Sequence, residues 1–193
     1  MKSYFVFDVE SVGLHGEGFA VAGGVYLENG AAQWEFCFAC PVDEATGFSD
    51  DRQWVKDNVP VITETHRSPR ALRESFWTRW LKAKAEGALM AAECLWPVEA
   101  GFVSACIQDD YAARKWAGPY PFVEISSVLM AAGMDPMAKY ERQPSEMPEH
   151  SPLGDARQSA RLLATALAKI ALRTVDASTD GVSSAAPATQ TAA

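Results

Sequence analysis

Near the start of the chain, apolar side chains come in strand-length blocks broken by turn residues; farther on they recur at helical spacing. The first block, Ser3–Ser11 (SYFVFDVES), reads as a strand whose mostly apolar residues surround two carboxylates, Asp8 and Glu10. Residues 19–27 (FAVAGGVYL) form a second strand, and Asn29-Gly30 supplies a turn signal. Residues 33–40 (QWEFCFAC) form a third, with alternating large apolar residues. Short connections make these three an antiparallel meander.

Residues 41–69 are irregular, with short helical turns expected around 51–58. Ser68-Pro69 then marks a helix start, Ser as the cap and Pro at the first helical position. Residues 69–86 carry Leu72, Phe76, Trp80 and Leu81 at helical spacing, and Gly87 stops them. Arg67, Arg70 and Arg73 cluster at the front of this helix, either as a solvated face or as phosphate contacts. A short buried strand (88–94), a helix (97 to about 116), a fifth strand (120–125) and a short helix (127–132) follow. Residues 135–148 are polar, hold three prolines and read as a loop. Ser151-Pro152 opens the last helix, whose apolar face is Ala156, Ala160, Leu163, Leu167 and Ile170. The order of strands and helices predicts a three-layer α/β domain over 1–173. Its mixed five-stranded sheet would be antiparallel through the hairpins and parallel through the helical crossovers. Residues 174–193, rich in Ala, Ser and Thr, form a tail expected to be disordered.

Composition narrows the picture. The 193 residues are 48% hydrophobic, with six Trp and nine Phe, enough for one globular core. A net charge of −8 argues against a broad basic surface for duplex nucleic acid or anionic membrane. Met1-Lys2-Ser3 runs straight into a strand and no apolar stretch is of spanning length, so neither a signal peptide nor a membrane segment is expected. Cys37 and Cys40 form a single CxxC, and Cys94 and Cys106 do not complete a zinc set. Buried thiols in a reducing cytoplasm are the expectation.

The chemistry concentrates at two places. Asp8 and Glu10, two apart on a strand, share a face. Two anions held side by side at the end of a buried strand repel and lose hydration, and a divalent cation relieves both costs. The plainer reading is an exposed strand edge that carries two acids. The second place is His150-Ser151-Pro152-Leu153-Gly154-Asp155, with His150 just outside a helix and Asp155 in its first turn. An imidazole half-protonated near neutral pH suits proton transfer from water, whereas an acid in a first turn also satisfies the helix dipole.

FDVESVGL resembles the first motif of the DEDD 3′–5′ exonucleases, Asp-x-Glu followed by Thr/Ser-x-Gly-Leu. HSPLGDARQSARLL resembles the third motif of their histidine-containing branch: His, four residues, Asp, then an Ala-Arg helix. The resemblance spans residues 1 to about 170. It implies a ribonuclease H-like fold and hydrolysis of phosphodiester bonds at the 3′ ends of single-stranded DNA or RNA, with release of nucleoside 5′-monophosphates. The middle motif departs from the family: where an aspartate opens the helix after the fourth strand, this chain has AECLWPVEAGFV. Glu99 falls on that position, and Glu93 at the end of the strand is the alternative.

The resemblance also implies two divalent ions, Mg²⁺ or Mn²⁺. Asp8 would bridge them, Glu10 and Asp155 would hold the ion that activates water, and Glu99 or Glu93 would support the other. His150 would take the proton from the attacking water. Ser11 and Leu14 would contact the terminal nucleotide, Leu14 by packing on its base. A nucleic-acid-binding module weakened in catalysis and an acidic interaction protein are the competing readings. The choice of DNA or RNA, and of monomer or homodimer, is left open.

Overall fold

The fold is built outward from Ser3–Ser11, which lies at the centre of the sheet in a computed structural model that describes residues 2–180. The strands are β1 (Ser3–Ser11), β2 (Gly18–Leu27), β3 (Ala32–Ala39), β4 (Leu89–Ala92) and β5 (Phe122–Glu124), in the order β3-β2-β1-β4-β5. β1 to β3 are antiparallel hairpin neighbours, while β4 runs parallel to β1 and β5 parallel to β4. The result is a five-stranded mixed sheet flanked by helices. Gly23 shows why β2 carries glycine: a Cβ there would stand 2.2 Å from the carbonyl oxygen of Val6 on the neighbouring strand.

The helices are α1 (Ser49–Asn58), α2 (Pro69–Ala85), α3 (Val98–Asp109), α4 (Tyr111–Arg114), α5 (Ile125–Ala131) and α6 (Pro152–Asp180). The alternation of β1 decides which of them covers which face. Phe5, Phe7 and Val9 point to one side, where they join Phe36 and the α2 residues Leu72, Phe76 and Trp80. Phe76 is fully buried and packs against Phe7 at 4.9 Å and Phe5 at 5.6 Å between ring centroids. Tyr4 and Val6 point to the other side, into a cluster with Ile125, Leu129, Leu163 and Ala166 of α5 and α6. Asp8 and Glu10 have the parity of Tyr4 and Val6, so they face the layer that contains α6.

Local chemistry explains where elements begin. Ser68 Oγ accepts from Ala71 N at 3.3 Å and Pro69 follows at the first helical position, as expected. Several elements differ from the sequence expectation: β4 and β5 are shorter, Leu89–Ala92 against 88–94 and Phe122–Glu124 against 120–125. The turns around 51–58 are a full helix, α1. The helix expected over 97–116 breaks at Asp110, which leaves helical geometry (φ −148°, ψ 69°) and uses its carboxylate to cap α4 through Ala113 N. α5 starts at Ile125 rather than 127, because Glu124 accepts from Ser126 N and Ser127 N. The 135–148 loop contains a 3₁₀ turn, Pro144–Glu146, closed by a capping box between Gln143 and Glu146.

Arg73 is neither a solvated side chain nor a phosphate contact. It is buried and ion-paired with Asp109 at 2.6 Å and Glu17 at 2.5 Å, which ties α2 to α3 and to the loop after β1. Cys40 and Cys106 are buried and Cys37 is half-buried, whereas Cys94 is exposed. α6 continues past Thr174 to Asp180; the rest of the expected tail, 181–193, lies outside the described residues. No described helix is long and apolar enough to cross a membrane.

Candidate metal centre

β1 ends in a register irregularity between Glu10 and Ser11, and the chain turns at Gly13 (φ +79°). A Cβ at Gly13 would lie 2.3 Å from Oδ2 of Asp51, so only glycine fits where α1 approaches this turn. Ser11 Oγ donates to the Gly13 carbonyl at 2.8 Å, which gives Ser11 a loop-holding task. Leu14 stands beyond the turn, 68% exposed.

The beginning of α6 supplies the facing half. His150 has φ +60° and Cys94 has φ +47°, the two non-glycine residues with positive φ among those described. Both line the same cavity, of about 510 Å³, together with Asp8, Glu93, Glu99 and Asp155. Left-handed backbone at non-glycine residues is uncommon and tends to sit where a side chain must be aimed. Trp54 on α1 and the His150 ring meet edge to face, 5.5 Å between centroids. Asp155 N donates to Ser151 O at 2.8 Å in the first turn of α6, and the Asp155 carboxyl lies near Glu10 of β1.

One oxygen or nitrogen from each of Glu10, His150 and Asp155 lies within 4.8 Å of the other two. Asp8, Glu93 and Glu99 line the adjoining cavity without joining that trio. Ser11 and Leu14 stand to one side, sharing a cavity of about 240 Å³ with Trp96; Leu14 and Trp96 reach into both spaces.

The electrostatics of these carboxyls agree with their crowding. Burial, then the charges of Glu10, Glu99, Asp155 and Glu93, push the Asp8 carboxyl well above its ordinary range. Burial and then Asp155 and Glu99 raise Glu10 to about 8. Burial raises Glu99 to about 7, against hydrogen bonds from the backbone N–H groups of Glu99 and Val9. Asp155 is raised by burial and pulled back by Arg142. Glu93 is also raised by burial, while the Ser159 hydroxyl, donating at 2.7 Å, opposes the rise.

The two middle-motif candidates therefore differ in what they face. Glu99, 6% exposed in the first turn of α3, acts on both Asp8 and Glu10. Glu93, at the end of β4, is turned toward Ser159 on α6. Sequence reasoning did not find Arg142, whose Nη1 donates to Asp155, or Ser159. Ser159 had a signal, since it lies four residues after Asp155 on one helix face. Arg142 had none, because it sits in a polar loop without periodicity.

A larger cavity, about 870 Å³, opens between the β2–β3 hairpin and α6, and both of its arginines are ion-paired, Arg157 with Glu35 and Arg161 with Glu146. Carboxylates with one imidazole are the donor set of a hard divalent cation such as Mg²⁺ or Mn²⁺, and the mutual repulsion of these acids is what such an ion relieves. No protein-family model matches the chain, and no curated protein matches it.

Proposed function

We propose that this chain is a metal-dependent 3′–5′ exonuclease of the histidine-containing DEDD type, on a ribonuclease H-like fold, acting on single-stranded DNA or RNA. The observation that carries the reading is the gathering of Glu10, His150 and Asp155 from the two ends of the domain, with Asp8 and Glu99 alongside. A mixed sheet, with hairpins on one side and helical crossovers on the other, supports the fold assignment.

Asp8, Glu10, Glu99 and Asp155 are the residues that would hold two Mg²⁺ or Mn²⁺ ions, and Glu93 replaces Glu99 in the alternative assignment. Such ions supply charge relief at phosphorus and a more acidic water. The protein's own part is to expose paired carboxylates at a strand end, to aim His150 at the same point as a proton acceptor, and to frame the terminal nucleotide. Leu14 presents an exposed apolar surface for a base, and Ser11 fixes the turn that carries it. Single strands suit this surface, since the acidic chain offers no broad basic track. Four free thiols fit a reducing, cytoplasmic setting.

The test is incubation of 5′-labelled single-stranded DNA and RNA with Mn²⁺ or with EDTA. A ladder shortened from the 3′ end with Mn²⁺ only is the expected result, and the polymer that gives it names the sugar preference. No ladder with either polymer refutes the proposal. One observation favours a second reading, a binding module weakened in catalysis: Arg142 already engages Asp155. Oligonucleotide binding without Mn²⁺-dependent product would select it.

A further inference from the structure

Among the described residues, Arg142 is the one lysine or arginine that lines the carboxylate cavity. Its Nη1 donates to Oδ1 of Asp155 and, at 2.9 Å, to the carbonyl oxygen of Glu146. The Arg142 and Asp155 side chains are each only 18% exposed. The turn beneath Arg142 is fixed: Glu146 is buried, its carboxylate is gripped by Arg161 at 2.6 and 2.8 Å, and it accepts from Gln143 N at 2.9 Å. Arg142 is therefore held at the cavity wall by two acceptors, only one of which belongs to the carboxylate cluster.

Asp155 is also one corner of the Glu10–His150–Asp155 trio. A guanidinium on its carboxylate and a divalent ion at the trio repel each other within a few ångströms, in surroundings that screen poorly. We propose that Arg142 is a counter-ion which a divalent metal displaces from Asp155, and that its guanidinium, retained by the Glu146 carbonyl, then meets the phosphate of the substrate. The inference rests on the metal-centre reading above. It gives the acidic cleft a cation of its own for the polyanion, and it couples phosphate binding to metal binding. Each makes the other easier, by the same factor.

Calorimetric titration with Mn²⁺ alone tests the first half. Arg142→Gln is expected to bind Mn²⁺ about tenfold more tightly than the wild type, the handicap that one charge-assisted hydrogen bond imposes on its competitor. Arg142→Lys, which keeps the charge, is expected to fall between the two. In EDTA the Gln variant should melt below the wild type, and saturating Mn²⁺ should narrow that gap, because the pair with Asp155 is then absent from both proteins and the wild type keeps only its bond to the Glu146 carbonyl. A purely structural pair would leave the gap unchanged. For the second half, adenosine 5′-monophosphate is expected to tighten Mn²⁺ binding by the wild type and not by Arg142→Gln.

Unchanged or weaker Mn²⁺ binding by Arg142→Gln, weaker binding by Arg142→Lys, or a melting gap that Mn²⁺ does not narrow overturns the inference. Those results leave the metal centre standing, whereas a wild type that binds no Mn²⁺ takes both down.

Discussion

Replacing Glu10 with Gln should make the metal-free protein more stable and the metal-bound one less so. Glu10 is raised to about 8, first by burial and then by Asp155 and Glu99, from an ordinary 4.5. Between those two values the folded chain keeps a proton that the unfolded chain has released, so stability falls as pH rises across the window and levels off above it. At pH 7 the window has been crossed by about 2.5 pH units, worth about 3 kcal/mol at 1.36 kcal/mol per unit. Residual contact with solvent reduces this to about 2 kcal/mol. Glutamine removes the titration while keeping the shape. In EDTA at pH 7, Glu10→Gln should therefore melt roughly 4–8 °C above the wild type, given about 2–4 °C per kcal/mol for a chain of this size. On the proposed metal centre, Mn²⁺ at a hundred times its Kd should stabilise the wild type by about 2.7 kcal/mol, and the variant by far less. Thermal scans with and without Mn²⁺ read both effects. A variant that melts below the wild type in EDTA, or that responds to Mn²⁺ as strongly as the wild type does, refutes the argument that Glu10 is a strained metal ligand.

Three further outcomes are expected. In EDTA the wild type should lose stability between about pH 4.5 and 8, in the same sense as above, with Glu99, raised to about 7, adding to the slope; denaturant melts across that range check it. On the proposed exonuclease reading, Glu99→Gln should lower turnover more than about a hundredfold, and Glu93→Gln by about tenfold or less, since Glu93 is hydrogen-bonded by Ser159 while Glu99 acts on both Asp8 and Glu10; single-turnover assays separate the two, and the reverse order would reassign the middle position. Phe76→Ala should cost about 3–5 kcal/mol in guanidinium unfolding, because a fully buried ring shared by several aromatic neighbours leaves a cavity that its stiff surroundings cannot fill.

Much of this architecture was legible in the sequence because the deciding signals are local. The hairpins follow from the apolar blocks and Asn29-Gly30, α2 from Ser68-Pro69, and the buried face of α6 from Ala156, Ala160 and Leu163. Where a side chain caps out of turn, the boundaries moved: Asp110 breaks one helix and Glu124 starts another early. Asp8, Glu10, His150 and Asp155 stood out through two short motifs, and the parity of β1 explains why the strand pair faces α6. The burial of Glu99 was not legible, since an acid in a first turn is usually solvated. Nor was the engagement of Asp155 by Arg142, which depends on how a loop without periodicity folds back over a helix start.

The most direct measurement is the anomalous difference map of a crystal soaked in Mn²⁺. A peak bounded by Glu10 and Asp155, beside His150 and lost in Asp155→Asn, is the predicted result. Saturating Mn²⁺ that leaves this cluster without a peak would contradict the account.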